Sequence, residues 1–175
     1  MSTPYPAHLA VDVEHRGRKL HIRPVRPEDE ELVTREASTR LTRDDLRLRF
    51  FSPVRDVRQA MGDRLTHIDY DREMAFMLFD GATLMGVGRL VADADFSEAE
   101  FAMVVAHDAQ RRGFGELMLR HLVAYARTRG IKRVVGHILR ENHGMLALAE
   151  RVGFTRTRGV SGGSDLRVEK DLKAM

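Results

Sequence analysis

Val104-Val105-Ala106-His107-Asp108-Ala109-Gln110-Arg111-Arg112-Gly113-Phe114-Gly115 is the stretch on which the fold turns. An apolar, β-branched run ends at Ala106. From Phe114 onward, apolar residues recur at 114, 118, 122 and 126, with 119 and 123 beside them. That spacing predicts a helix over 114–129, closed by Gly130. The twelve residues therefore join a strand to a helix. Gly113 and Gly115 let the backbone approach a ligand closely. The helix start offers free N–H groups and the positive end of its dipole. Together they suit an anion such as a pyrophosphate, to which Arg111 and Arg112 can add charge-assisted hydrogen bonds. The stretch is neither a P-loop, because no Gly-Lys-Ser/Thr follows, nor the dinucleotide fingerprint, because the third glycine is missing. A tight turn with no ligand has the same pattern, and these residues alone leave both readings open.

Outward from this stretch, residues 98–106 read as a strand with Phe101, Met103 and Val105 on one face. Upstream, 73–79 and 83–92 pair across the Asp80-Gly81 turn signal. Residues 19–25 alternate as a strand. Pro27-Glu28-Asp29-Glu30 opens a helix reaching about Thr39, and Thr42 with Asp45 caps a second over 43–50. A third helix is expected over 57–66. Downstream come a strand over 132–139, a helix over 142–152 stopped by Gly153, and a strand over 165–172. Residues 1–18, with Pro4 and Pro6, read as an irregular lead-in. Residues 19–175 read as one mixed α/β domain whose front half is largely antiparallel.

Composition narrows the function. The chain has 175 residues, 43% hydrophobic and 31% charged, as a globular domain does. It has no Cys, which excludes disulfides, Cys-containing zinc sites, iron–sulfur ligation and a Cys acyl-enzyme. Of 29 basic residues only Lys19, Lys132, Lys170 and Lys173 are lysine; the rest are Arg, the residue suited to phosphate. A net charge of +3 with interspersed acids does not point to nucleic acid. No apolar run approaches the ~20 residues of a spanning helix, and no signal core opens the chain, so a cytoplasmic, membrane-free protein is expected. The eight histidines show no zinc-type spacing, and no metal is expected.

Gln110-x-x-Gly113-x-Gly115 resembles the acyl-CoA loop of the GNAT superfamily of N-acetyltransferases. Asn142 at the start of the next helix, and Gly153-Phe154 at its end, extend the likeness. Ile22-Arg23-Pro24-Val25-Arg26-Pro27-Glu28-Asp29, Leu48-Arg49-Phe50-Phe51, Ile68-Asp69-Tyr70-Asp71-Arg72-Glu73-Met74-Ala75 and Ala99-Glu100-Phe101-Ala102 resemble the acetyltransferase domain of bacterial protein lysine acetyltransferases. The resemblance spans residues 5–172.

It implies a helix-flanked sheet splayed between the strands at 98–106 and 132–139, with acetyl-CoA in the cleft and no metal. The pantetheine arm would add to the strand edge at Met103, Val104 and Val105. The pyrophosphate would sit on Gln110, Arg111, Arg112, Gly113, Phe114 and Gly115, and Asn142 would meet the pantetheine or cap its helix. Glu100 would be the general base, with Glu98 as runner-up; partial burial would help tune it. A base is needed because at pH 7 only about one lysine amine in 2,500 is neutral, a handicap of ~4.6 kcal/mol. Many relatives place a tyrosine acid where this chain has Ala149, so no side-chain acid is expected here. The charged run 69–73 and the arginines Arg23, Arg26, Arg47 and Arg49 read either as salt-bridged surface or as ligand contacts. The implied function is acetyl transfer to a protein lysine. The alternatives are a small-molecule amine acetyltransferase and a non-catalytic acyl-CoA sensor. Monomer and homodimer both remain open.

Overall fold

The computed structural model describes residues 3–51, 54–157 and 163–172. Eight strands form one sheet in the order β1-β2-β3-β4-β5-β6-β8-β7. They are β1 (Val11–His15), β2 (Arg18–Pro24), β3 (Glu73–Asp80), β4 (Thr83–Ala92), β5 (Glu98–Val105), β6 (Arg133–Leu139), β7 (Thr155–Arg156) and β8 (Asp165–Asp171). Neighbours are antiparallel except β5 and β6, which run parallel. A parallel pair needs a crossover, and α4 (Phe114–Thr128) supplies it.

The sheet is covered on both faces, which explains the unbroken apolar run of β3. Met74, Phe76 and Leu78 point into a core shared with α4 and α5 (His143–Val152). Ala75, Met77 and Phe79 point the other way, into a core shared with α1 (Glu30–Arg40) and α2 (Arg43–Phe50). Thr42 and Asp45 cap α2 reciprocally, as the sequence predicts. The expected third helix is a π-helical stretch, Arg58–Asp63, running into α3 (Arg64–Thr66).

Two strands differ from the sequence reading. Residues 11–15 are not irregular lead-in: they form β1, paired with β2 from Val11↔Ile22 to His15↔Arg18. Val11 and Val13 do alternate with Asp12 and Glu14, but the strand is only five residues long and only Val13 of its two valines joins the core. The turn Arg16-Gly17 has both φ angles positive, 51° and 81°, as a two-residue hairpin requires. The two-residue β7 is too short to leave a pattern.

The feature that positions the site is a fork. The β5–β6 ladder has three pairs, Glu98↔Arg133, Ala99↔Val134 and Glu100↔Val135. Beyond Val135, β6 stays paired with β8 to its end, and β5 continues with β4 alone. On the α4 side, the Phe101 ring fills the space over Gly136, where a Cβ would stand 2.3 Å from it. With β1 counted, the splay expected between the fourth and fifth strands lies between the fifth and sixth.

Candidate active site at the sheet fork

Glu100 sits on the last rung before the fork, on the face opposite Ala99 and Phe101. Its side chain is 56% exposed, which corrects the expectation of partial burial. On the same face of β6 and β8, His137 is exposed and Arg167 half-buried, while Val135 and Leu139 are buried. Its surroundings are electrostatically dense. His137 Nε2 is 4.0 Å from Glu100 Oε1. Arg49, from α2, carries no ion pair among the described residues; desolvation, then the charge of Arg89, push its guanidinium down to about 10, and Glu100 pulls it back up. Glu98, the runner-up base, is engaged by Arg167 Nη2 at 3.1 Å and Arg133 Nη1 at 3.9 Å. Glu100 is therefore the freer carboxylate at the fork.

Met103, Val104 and Val105 line the β5 edge beyond the fork. Met103 and Val105 lean on the α4 core, and Val104 on the opposite one. The loop that follows is braced from two sides. Gln110 Nε2 donates to the Val105 carbonyl and to Asp45 Oδ1, both at 3.1 Å, and His107 Nδ1 lies 3.0 Å from Asp45 Oδ2. Burial would raise the Asp45 carboxyl, but hydrogen bonds from Thr42 and Gln110 hold it below the usual carboxylate range. Gln110 thus shapes the loop rather than standing ready for a ligand.

Arg111 is left-handed at φ 64° and Gly113 at φ 85°, directly before α4. Successive N–H groups in such a turn converge into an anion-binding concavity. A Cβ on Gly115 would come within 2.7 Å of Leu148 Cδ1, so this glycine lets α4 and α5 close together. Phe114 is buried, with Arg112 stacked over its ring at 5.2 Å. Asn142 caps α5, its side-chain oxygen accepting from the Met145 N–H at 3.2 Å.

Sequence reasoning missed the hairpin tip. His15 Nε2 donates to the Arg112 carbonyl at 3.0 Å, and its ring packs on Phe114 at 5.4 Å. Arg16 Nη2 and the His15 ring lie where a Gly113 side chain would be. Only the missed strand β1 could have signalled this. Among the described residues neither Arg16, Arg111 nor Arg112 forms an ion pair, although Asp108 feels the charge of Arg112. Four other cations are engaged elsewhere. Arg23 is bidentate to Asp29, Arg47 holds Asp44 and Glu141, Arg129 holds Asp71, and Arg26 stacks on Tyr5.

Ala149 is fully buried, as a residue with no acid role can be. The three tyrosines of the chain are committed elsewhere. Tyr5 and Tyr70 donate to the carbonyls of Pro24 and Val25, and Tyr125 accepts from Arg129. Among the described residues one grouping has metal-like spacing, Glu30, Asp63 and His67, but Arg58 already neutralises Glu30 at 3.0 Å.

Comparison with known proteins identifies the family. Residues 19–155 match the family model "Acetyltransferase (GNAT) domain". An acetyltransferase of Pseudomonas aeruginosa is 32% identical over 87% of both chains. The acetyltransferase Pat of Mycolicibacterium smegmatis is 29% identical over 89% of this chain, which spans 46% of that protein. The crystal structure of the GNAT domain of S. lividans PAT superposes with a TM-score of 0.83 at 30% identity, covering 97% of this chain and 100% of that one. The spermidine N-acetyltransferase of Vibrio cholerae, solved with CoA and spermine, shares the fold at TM-score 0.70 and 20% identity, over 87% of this chain and 95% of that one. The chain thus belongs to the GNAT family of acetyltransferases.

Proposed function

We propose that this chain transfers the acetyl group of acetyl-CoA to a protein lysine side chain, with Glu100 as general base. The observation that carries the reading is the fork: an accessible carboxylate, Glu100, stands on its last rung, and the strand beyond it leads to the left-handed turn before α4. The protein acceptor is favoured by the likeness to Pat, which extends over most of this chain.

In this reading, the turn at Arg111–Gly113 and the start of α4 hold the pyrophosphate, and the β5 edge at Met103–Val105 pairs with the pantetheine amides. Asn142, already a helix cap, meets the pantetheine in this reading. Glu100 removes a proton from the ammonium of the acceptor. The freed amine attacks the thioester carbonyl, the C–S bond breaks, and sulfur leaves as a thiolate. With Ala149 at the position of an acid, the thiolate takes the remaining amide-forming proton; a thiol of reference pKa ~8.5 leaves tolerably.

The test is incubation with labelled acetyl-CoA and a lysate of the source organism. Label on discrete protein bands supports the reading. Label confined to small amines replaces the acceptor class, and binding without transfer makes the chain a sensor. Glu100→Gln is expected to keep acetyl-CoA affinity and lose ~10²–10⁴-fold in turnover, the usual contribution of a positioned base. Near-normal turnover would remove Glu100 from the mechanism.

A further inference from the structure

We propose that His137, oriented by Asp165, relays the proton that Glu100 removes; this rests on the reading of Glu100 as base. His137 lies on β6 two residues past Val135, the partner of Glu100, and so on the same face at the mouth of the fork. Its Nδ1 is 3.1 Å from Asp165 Oδ2 on the neighbouring strand, and its Nε2 faces Glu100 Oε1 at 4.0 Å. A carboxylate only accepts, so the contact to Asp165 puts the ring proton on Nδ1 and leaves the Nε2 lone pair turned toward the base. The 4.0 Å gap exceeds a direct hydrogen bond and fits one bridging water.

The proton then moves in a balanced sequence. The ammonium N–H bond breaks and Glu100 takes the proton. Glu100 hands it to His137 Nε2. The resulting imidazolium stands between two carboxylates and releases the proton to solvent from a side chain 36% exposed. An imidazole stores a proton near neutral pH better than a carboxylate does, by about two pKa units in model peptides. Glu100 is thereby reset for the next turnover. The other charges around the ring are answered separately: Arg167 of β8 is held by Glu98 and Glu169, and Arg49 of α2 faces Glu100. The sequence signals none of this, because the three residues are 37 and 28 positions apart and meet only through strand pairing.

Two measurements test the relay. In ¹⁵N-histidine spectra of the full chain at neutral pH, His137 is expected as the Nδ1–H tautomer, and Asp165→Asn is expected to abolish that preference. An Nε2–H tautomer in the parent chain overturns the proposal. In kinetics with the acceptor that the labelling experiment yields, His137→Gln is expected to lower kcat at least tenfold with the acetyl-CoA KM unchanged. The low-pH limb of its kcat profile should move to lower pH, because only the carboxylate, with its lower reference pKa, then has to be unprotonated, and added imidazole should restore part of the rate in His137→Gly. If Glu100→Gln is inactive while His137→Gln keeps both its rate and its pH profile, the relay fails and the base stands. If Glu100→Gln is active, the underlying reading fails first.

Discussion

Asp29 shows how far a single residue carries the front of the molecule. Its carboxylate is 7% exposed and receives Arg23 Nη1 and Nη2 at 2.8 Å each and the Arg26 N–H at 2.7 Å. Burial alone would raise its carboxyl, but these bonds from Arg23 and Arg26 hold it below the usual range. A group depressed in the folded state adds stability above its unfolded pKa and loses it as pH falls through the folded value. Asp29→Asn leaves the Arg23 guanidinium, itself 15% exposed, without its partner. The variant is expected to lose ~3–5 kcal/mol at pH 7, measured by urea unfolding. Because only the parent gives up the ion pair in acid, the gap should narrow as the pH is lowered toward 3. An equal gap at pH 7 and pH 3 would show that the ion pair is not the cause. The role of Asp29 as a helix-start acid is legible in Pro27-Glu28-Asp29-Glu30. Its hold on Arg23 is not, nor is that of Glu141 on Arg47, 94 residues away. A charged side chain's type can be read from sequence, but its partner depends on the fold.

The loop before α4 was the most legible element, because everything that makes it is local: strand end, glycines, and the onset of 3.6-residue periodicity. What braces it was not legible. Asp45 reaches it from α2, and His15 with Arg16 from the β1–β2 hairpin, whose outer strand is only five residues long. Gly113 and Gly81 separate the loop's role from simple backbone strain. Both have positive φ, 85° and 63°, but a Cβ on Gly81 meets nothing within 4 Å, whereas one on Gly113 strikes the His15 ring at 2.8 Å. Gly81→Ala is expected to cost about 1 kcal/mol of stability from the left-handed backbone alone, with the acetyl-CoA KM unchanged. Gly113→Ala is expected to displace the hairpin tip from the loop and raise that KM at least tenfold with a smaller change in kcat. Equal KM values in the two variants would mean that the loop does not hold the cofactor. Arg16→Ala leaves the hairpin's hydrogen bonds intact and should raise the KM by a smaller factor.

At the scale of the whole molecule, the fork was legible only through resemblance. A strand's pattern reports which face is buried, not where its pairing stops, so the three-rung β5–β6 ladder left no mark in residues 98–106 or 132–139. Where the pairing stops, the ring of Phe101 lies over Gly136, in the space a side chain there would fill. The molecule is thus two half-sheets, β1–β5 and β6–β8–β7, joined by three strand pairs and by α4 and α5 packed behind them. A ligand seated between them binds the folded chain alone and must stabilise it by mass action. At 100 times its Kd, acetyl-CoA is expected to add ~2.7 kcal/mol, or roughly 5–10 °C in Tm for a chain of this length. The location of the effect decides the argument. Amide exchange is expected to slow together in three places: the β5 edge beyond Glu100, the turn at Arg111–Gly113, and β6 beyond Val135. Protection of the loop alone would place the phosphates there and leave the fork empty. Protection on both arms of the fork, lost together in Gly113→Ala, would show that one ligand spans loop and cleft, with the acetyl group delivered beside Glu100.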